Sequence, residues 1–238
     1  MYLLFGSQKT LLLDTGASSN AARFPMAAVV NQIRQTQASA IGGPMRDLIV
    51  AHTHSHTDHS GGDSQFSGMP GVSMVAPNLG AVKAFYGLPQ WPNGSATIDL
   101  GGRVVDVIPT PGHEPSHVTL YDRTEQLLLS GDTLYPGLLL VNDSDAYKKS
   151  IARLVAFVAA NHPVTHVLGA HIEMTSTPGK WFGLSVAFQP NEHVLQLAAP
   201  HLHELNTSLF AMGSQIRVNR RADFIIFPAD QPLPALGP

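Results

Sequence analysis

Short apolar runs alternate along this 238-residue chain with longer segments in which apolar residues recur at helical spacing. Apolar runs that are bounded by Gly, Pro, Asp or Asn predict strands. These runs are residues 9–14 (KTLLLD), 47–54 (DLIVAHTH), 71–77 (GVSMVAP), 96–100 (ATIDL), 103–110 (RVVDVIPT), 117–122 (HVTLYD), 126–132 (QLLLSGD) and 165–171 (THVLGAH).

Helical spacing predicts helices between Pro25 and Ala40, near residues 79–86, over 144–163 with Ser144 as the N-cap, and over 191–210 with an interruption at Pro200. Because strands and helices alternate in both halves, the sequence predicts the α/β class, with sheets covered by helices. No linker divides the chain, so we expect a single domain over residues 1–238 that ends in an irregular, proline-rich tail at 228–238.

Composition narrows the range of partners. Only 13% of the residues are charged and the net charge is −3, so we expect a small-molecule substrate rather than a nucleic acid or a membrane. We interpret the short basic cluster of Arg217, Arg220 and Arg221 as a solvated turn. The apolar run 2–5 is too short for a signal peptide, which favours a cytoplasmic location. The oligomeric state stays open, with a dimer as one option.

The segment AHTHSHTDHSGG, residues 51–62, concentrates metal-ligand side chains directly after an apolar strand. His54 and His56 project to the same side, because strand side chains repeat every two residues. A turn then brings Asp58 and His59 inward, so the segment offers one pair of ligands to each of two metal ions. Gly61 and Gly62 remove Cβ atoms where the backbone is expected to crowd. His52 lies outside the pattern, and we expect a supporting or surface role for it.

Three further predicted strands are followed by a residue whose side chain can bind a metal ion. His113 follows a strand in TPGHEPSH, Asp132 follows one in LLLSGDTLYPG, and His171 ends THVLGAH. Open α/β sheets collect their active groups at strand termini on one edge, so these side chains are expected to join the histidine segment. The chain has no cysteine, which leaves imidazoles and carboxylates as the donors.

These motifs resemble the metallo-β-lactamase fold superfamily: DTG at 14–16, the His54/His56/Asp58/His59 run, TPGH, SGDT and GAH appear in the family's order over residues 9–172. The resemblance implies an αβ/βα four-layer sandwich with two mixed sheets flanked by helices. Members usually have strands before the region that begins here at Tyr2, so the first strands of the fold are expected to be missing from this chain.

The resemblance also implies that the chain supplies the ligands for two zinc ions, with iron, manganese or cobalt as alternative metals. It assigns His54, His56 and His113 to one ion, Asp58, His59 and His171 to the other, and Asp132 as the bridge between them. Of the two histidines in TPGHEPSH, the family pattern picks His113 and leaves His117 a structural role. Asp14 is a candidate to hold a ligand ring in the correct tautomer, with a capping role as the alternative.

Such a site predicts a hydrolase. Two divalent ions offset by Asp58, Asp132 and a bridging hydroxide leave a net charge of about +1, which favours an anionic transition state. Asp58 is a candidate for proton transfer. Lactone-opening members of the family often carry a tyrosine where Tyr135 stands, which implies that its hydroxyl supports the substrate carbonyl oxygen. The alternative is an aromatic residue at a strand end that packs on the sheet.

The sequence therefore predicts a dinuclear zinc hydrolase of a small ester, lactone or thioester. A phosphodiesterase that uses the same two metal ions is the first alternative. A β-lactam hydrolase is disfavoured because true β-lactamases generally lack the bridging aspartate. A glyoxalase II-like hydrolase is disfavoured because residues 187–210 lack the basic groups expected for a glutathione carrier. A diiron protein is disfavoured because the sequence shows no flavin partner domain, and a non-catalytic binding module is disfavoured because all seven ligand positions are filled.

Overall fold

The computed structural model describes residues 1–183 and 186–232, and the chain divides into two compact units, Met1–Val107 and Ile108–Pro238. Whether the units act as one domain stays a prediction. Of the tail expected to be irregular, Pro228 is instead the last residue of the last strand, residues 229–230 form a turn, and residues 233–238 lie outside the described residues. In the described part of the chain, every helix is too short or too polar to cross a membrane.

The first unit is built on a four-stranded mixed sheet with the strand order β1-β2-β3-β4. The outer pair β1–β2 is antiparallel, whereas β2–β3 and β3–β4 are parallel. The elements of this unit are β1 (Tyr2–Phe5), β2 (Lys9–Leu13), α1 (Met26–Ala40), β3 (Asp47–Ala51), α2 (Thr57–Ser60), a 3-10 turn (Asp63–Gln65), β4 (Val72–Met74), α3 (Leu79–Tyr86) and the antiparallel hairpin β5 (Ala96–Asp99) and β6 (Val104–Pro109), whose last two residues fall in the second unit.

The core of this unit lies between the sheet and α1. Leu12 of β2 and Leu48 and Val50 of β3 pack against Ala27 and Val30, which form the buried stripe of the helix. In the parallel register Leu13 pairs with Ala51, so β2 and β3 end at the same edge of the sheet. The DTG turn and the histidine segment therefore leave the sheet side by side.

The second unit contains two mixed groups of strands. One has the order β11-β10-β8-β7 and the other has the order β12-β13-β9. Parallel pairing joins β8 to β10 and β9 to β13. The elements are β7 (Val118–Asp122), β8 (Leu127–Gly131), β9 (Leu138–Val141), α4 (Ser144–Ala159), β10 (His166–Gly169), β11 (Gln196–Leu197), α5 (Ala199–Ala211), β12 (Asn219–Arg220) and β13 (Ile225–Pro228).

The core of the second unit is formed where α4 and α5 cover these strands. Ile151 of α4 and Leu205 of α5 belong to one fully buried cluster with Leu128 of β8, Val167 of β10 and Ile226 of β13. Gly131 pairs with Gly169 at the ends of the parallel strands β8 and β10, so Asp132 and His171 emerge at the same edge. These mixed sheets flanked by helices confirm the predicted α/β class.

Two helix starts differ from the sequence-based expectation. Helix α4 is capped by Asp143, whose carboxylate accepts a hydrogen bond from the Ala146 N–H at 2.9 Å, and not by Ser144. Pro200 does not interrupt the last helix. It lies in the first turn of α5, where its missing N–H costs no hydrogen bond. Residues 196–197, which were expected to be helical, instead form the short strand β11.

We expect Asp143→Ala to lower the free energy of unfolding by about 1 kcal/mol, because it leaves the Ala146 N–H without its cap. Ser144→Ala, one residue further along, is the matched control and should change stability by less than about 0.5 kcal/mol. Urea unfolding followed by circular dichroism measures both. Equal destabilisation by the two variants would contradict the assignment of the cap.

Candidate metal centre

In the first unit, the histidine segment forms a tight cluster of donor atoms directly after β3. Nε2 of His54 lies 2.9 Å from Nδ1 of His56, and the rings of His54 and His59 have centroids 4.0 Å apart. His54 and His59 are buried, whereas His56 is exposed. Two imidazole nitrogens bound to one tetrahedral zinc ion lie about 3.3 Å apart, so His54 and His56 have the spacing of a ligand pair.

Asp58 and His59 form the second pair of this unit, on the single turn of α2. Oδ2 of Asp58 lies 3.6 Å from Nε2 of His59. The Asp58 side chain is 44% exposed and the His59 side chain 3%, so the carboxylate is reachable from solvent while the ring is held in the protein. The catalytic role expected of Asp58 stays a prediction.

Asp14 fixes the orientation of the His59 ring. Its backbone has a φ of 65°, a left-handed conformation that aspartate tolerates better than most residues. The buried carboxylate accepts hydrogen bonds from Nδ1 of His59 at 2.9 Å and from the Thr53 backbone N–H at 2.7 Å. With its proton on Nδ1, the His59 ring has Nε2 as the nitrogen that could bind a metal ion. Asp14 therefore has the supporting role that the sequence suggested.

His52 is also a supporting residue. Its Nε2 contacts Oδ1 of Asp63 at 2.8 Å, and its Nδ1 contacts the Val75 carbonyl oxygen at 3.0 Å. The same Asp63 oxygen accepts a hydrogen bond from the Thr15 hydroxyl at 2.7 Å. This buried network ties the histidine segment to the DTG turn on one side and to the end of β4 on the other.

Gly61 and Gly62 allow the backbone after α2 to approach the DTG turn. A Cβ atom on Gly62 would lie 2.3 Å from the Thr15 carbonyl oxygen, and one on Gly61 would lie 2.6 Å from the backbone of Ala17. The Gly62 N–H donates to the Gly16 carbonyl at 3.2 Å across this contact. The predicted crowding at the two glycines is therefore present.

In the second unit, three strand ends bring their side chains to a single oxygen atom. Nε2 of His113 lies 3.4 Å and Nε2 of His171 lies 3.3 Å from Oδ2 of Asp132. Nδ1 of His113 donates to the Leu140 carbonyl oxygen at 2.9 Å, so Nε2 is the nitrogen of that ring that could bind a metal ion. One buried carboxylate between two imidazoles is the arrangement that a bridging ligand requires.

His117 has the structural role that the resemblance left to it. It is fully buried, and its Nε2 accepts the backbone N–H of Asp132 at 3.2 Å. Its Nδ1 contacts the Thr110 hydroxyl at 2.8 Å. His117 therefore helps to hold Asp132.

Tyr135 lies next to a proposed ligand, and its hydroxyl has a protein partner. The ring centroid of Tyr135 is 5.4 Å from that of His171, and its hydroxyl donates to the Leu138 carbonyl oxygen at 2.5 Å. The side chain is only 3% exposed. A role on the substrate carbonyl would require this hydrogen bond to break, so the catalytic role of Tyr135 stays a prediction.

Glu173 is a residue of this region that sequence reasoning missed. Its carboxylate accepts the Leu138 N–H at 2.8 Å. Burial raises the pKa of the Glu173 carboxyl, an effect that the Leu138 N–H and His171 oppose and Asp132 reinforces. The available signal was an acidic residue two positions after His171 in an otherwise apolar stretch.

Comparison with known proteins identifies the family of this chain. A sequence model of the metallo-beta-lactamase superfamily matches residues 1–171, well over half of the chain. The chain therefore belongs to the metallo-beta-lactamase superfamily, which confirms the resemblance seen in its motifs. The solved metallo-beta-lactamase from Pontibacter korlensis has a TM-score of 0.54 and 18% identity, covers 87% of this chain and 85% of its own, and supports the fold alone.

Two curated relatives add named activities of their own. Hydroxyacylglutathione hydrolase of Rhizobium meliloti (strain 1021) is 30% identical over 137 residues, which are 54% of this chain and 53% of that protein. Acyl-coenzyme A thioesterase MBLAC2 of Bos taurus is 25% identical over 168 residues, which are 59% of this chain and 60% of that protein. The chain thus spans between about half and three-fifths of the length of these two relatives.

Gly62→Ala should destabilise the protein by about 1–3 kcal/mol, because the new methyl group meets the Thr15 backbone, which cannot move aside cheaply. Gly43→Ala is the control, since a Cβ there meets only the Ile41 side chain at 3.7 Å, an ordinary contact. Chemical denaturation of both variants measures the difference. A loss no larger in Gly62→Ala than in Gly43→Ala would show that the close approach is not required.

Asp14→Asn should weaken zinc binding about 10- to 100-fold, the usual range for the partner of a metal-binding histidine. The amide can still accept the Thr53 N–H, but its NH₂ group cannot accept a proton from Nδ1 of His59, so the ring shifts to the wrong tautomer. Competition with a zinc chelator measures the change. The exposed Asp47→Asn is the control, and zinc affinity unchanged in Asp14→Asn would rule out this role.

Proposed function

We propose that this chain is a metal-dependent hydrolase with two metal ions, and that it cleaves thioesters of small acyl groups. The observation that carries the proposal is the approach of His113 and His171 to one oxygen of Asp132, at 3.4 and 3.3 Å. A two-metal site needs a carboxylate between two imidazoles. A purely structural loop has no need of this arrangement.

The donor set fits borderline divalent ions. It consists of imidazoles and carboxylates without a thiolate, which suits zinc first and iron, manganese or cobalt next. We propose that one ion is held by His54, His56 and His113, a second ion by Asp58, His59 and His171, and that Asp132 bridges the two. The hydrogen bonds from Nδ1 of His59 to Asp14 and from Nδ1 of His113 to Leu140 support this proposal, because each leaves Nε2 for the metal.

When bound, such a pair of ions lowers the pKa of water to about 7 and polarises the scissile carbonyl group. The side chains of the chain then have separate tasks. Asp132 would be the ligand shared by both ions, and Asp14 keeps the proton of the His59 ring on Nδ1. Asp58 is exposed next to His59 and is placed to take up a proton and return it to the departing thiolate.

The thioester assignment draws on the relatives and on Tyr135. The names of both relatives describe release of an acyl group from a thiol carrier, glutathione in one and coenzyme A in the other. The lactone alternative asks the Tyr135 hydroxyl to support the substrate carbonyl, but that hydroxyl already donates to Leu138. Thioester cleavage makes no such demand on Tyr135.

A substrate panel on zinc-loaded protein tests the proposal. It compares acyl-coenzyme A and S-acylglutathione thioesters with lactones, p-nitrophenyl esters and bis(p-nitrophenyl) phosphate, with metal content measured in parallel. We expect thioesters to give the highest kcat/KM and EDTA to abolish turnover. Faster phosphodiester cleavage would favour the phosphodiesterase alternative. Turnover that survives chelation, or well under one metal ion per chain, would overturn the metal mechanism.

His56→Ala should remove most of the activity and most of the rise in Tm that zinc causes, because a ligand that binds only the folded state stabilises it by mass action. His56 is exposed, so the metal-free variant should melt close to the metal-free parent. His203→Ala, an exposed histidine on α5, is the matched control. Scanning calorimetry with and without zinc gives the result, and an undiminished zinc effect in His56→Ala would exclude this residue as a ligand.

A further inference from the structure

His171 is carried by a segment without regular secondary structure. Strand β10 ends at Gly169, and residues 170–173 belong to neither a strand nor a helix. The His171 side chain is 32% exposed, so surrounding atoms enclose it only in part. A metal ligand must be held within a few tenths of an ångström of its working position, and here no strand or helix provides that constraint.

The residues after His171 are anchored to the turn that precedes β9. The Glu173 and Met174 N–H groups both donate to the Pro136 carbonyl oxygen, at 2.8 and 3.0 Å. The Glu173 side chain adds a third link, because its Oε2 accepts the Leu138 N–H at 2.8 Å. Leu138 and Met174 are also fully buried in one apolar cluster, which excludes water from this contact.

Tyr135 binds the carbonyl group of Leu138, the residue whose N–H group is bound by Glu173. Its hydroxyl donates to the Leu138 carbonyl oxygen at 2.5 Å, and the edge of its ring packs against the His171 ring. Leu138 therefore has its N–H bound by Glu173 and its C=O bound by Tyr135. The contacts form a closed circuit that starts from His171, passes through Glu173, Leu138 and Tyr135, and returns to the His171 ring.

The intervening glycine shows how closely the circuit is packed. A Cβ atom on Gly137 would lie 2.0 Å from Oε2 of Glu173 and 2.4 Å from the Tyr135 ring. A Cβ atom on Gly169, at the end of β10, would lie 2.3 Å from Cβ of Tyr135. Only glycine fits at these two positions if both side chains are to reach Leu138.

We propose that Glu173 and Tyr135 are positioning residues for His171, which they hold at the metal centre by binding the two ends of Leu138. The inference rests on the proposed role of His171 as a metal ligand. Under this proposal Tyr135 acts on the protein backbone and not on the substrate. Glu173, which is not among the proposed ligands, acts by supporting one of them. The two side chains act through hydrogen bonds to the backbone, so their effect should appear in metal binding before any substrate is added.

Metal titration of EDTA-stripped protein by calorimetry, with zinc as the probe, tests the proposal. We expect Glu173→Ala to bind one of the two equivalents at least about 10-fold more weakly, the size of effect usual for partners of metal ligands. Glu173→Gln should bind both equivalents as the parent does, because its amide oxygen still accepts the Leu138 N–H. The exposed Glu192→Ala is the matched control and should also behave as the parent.

Two results would overturn the proposal. One is Glu173→Ala binding both equivalents with parental affinity. The other is Glu173→Gln binding as weakly as Glu173→Ala, because charge and not the hydrogen bond would then be responsible. If Glu173→Ala fails to fold, Tyr135→Phe decides the matter, since it removes one oxygen atom only. It should weaken the same equivalent several-fold, and unchanged zinc binding in this variant would equally overturn the proposal.

His171→Ala separates this inference from the proposed function. Loss of one equivalent in His171→Ala with no effect in Glu173→Ala would defeat the positioning role alone. Two equivalents bound with parental affinity by His171→Ala would remove His171 from the ligand set, and the proposed two-metal function and this inference would both fail.

Discussion

The contact on which the second unit depends is the approach of two imidazole nitrogens to one buried carboxylate oxygen of Asp132. Side chains brought so close, from the ends of different segments, stay together only if each is held by its own partner. His117 holds the backbone of Asp132, and the Leu140 carbonyl holds His113. The residues around these three side chains therefore orient them, through side-chain groups as well as backbone atoms.

Parallel strand pairing produces the corresponding arrangement in both units. The parallel pair β2–β3 ends at Leu13 and Ala51, and the parallel pair β8–β10 ends at Gly131 and Gly169. Because the carboxyl ends of parallel strands meet at one edge of a sheet, any polar residues that follow them become neighbours without a dedicated loop. In each unit, apolar parallel strands thus bring polar side chains to one edge, and contacts made after the strands fix the orientation of those side chains.

Much of this could be predicted from the sequence, and the exceptions have a common cause. Helix α3 has the predicted bounds, and the secondary roles of His52 and His117 follow from their place outside the ligand pattern. Strong local periodicity or a motif carries these features. Strands β9, β12 and β13 are short, and their pairing depends on residues far away in the chain, as do the contacts of Glu173 with Leu138. The sequence around each residue gives no signal for such contacts.

Strand β13 belongs to the sheet beside the proposed ligands, although it lies well beyond the residues that match the superfamily model. The family match ends at residue 171, yet residues Ile225–Pro228 pair in parallel with β9, and Phe227 lies beside Leu140 in that register. The Leu140 carbonyl is the group that orients His113. A fragment cut at the end of the family match would keep all seven proposed ligands and would lose β13, the strand that pairs with β9 beside Leu140.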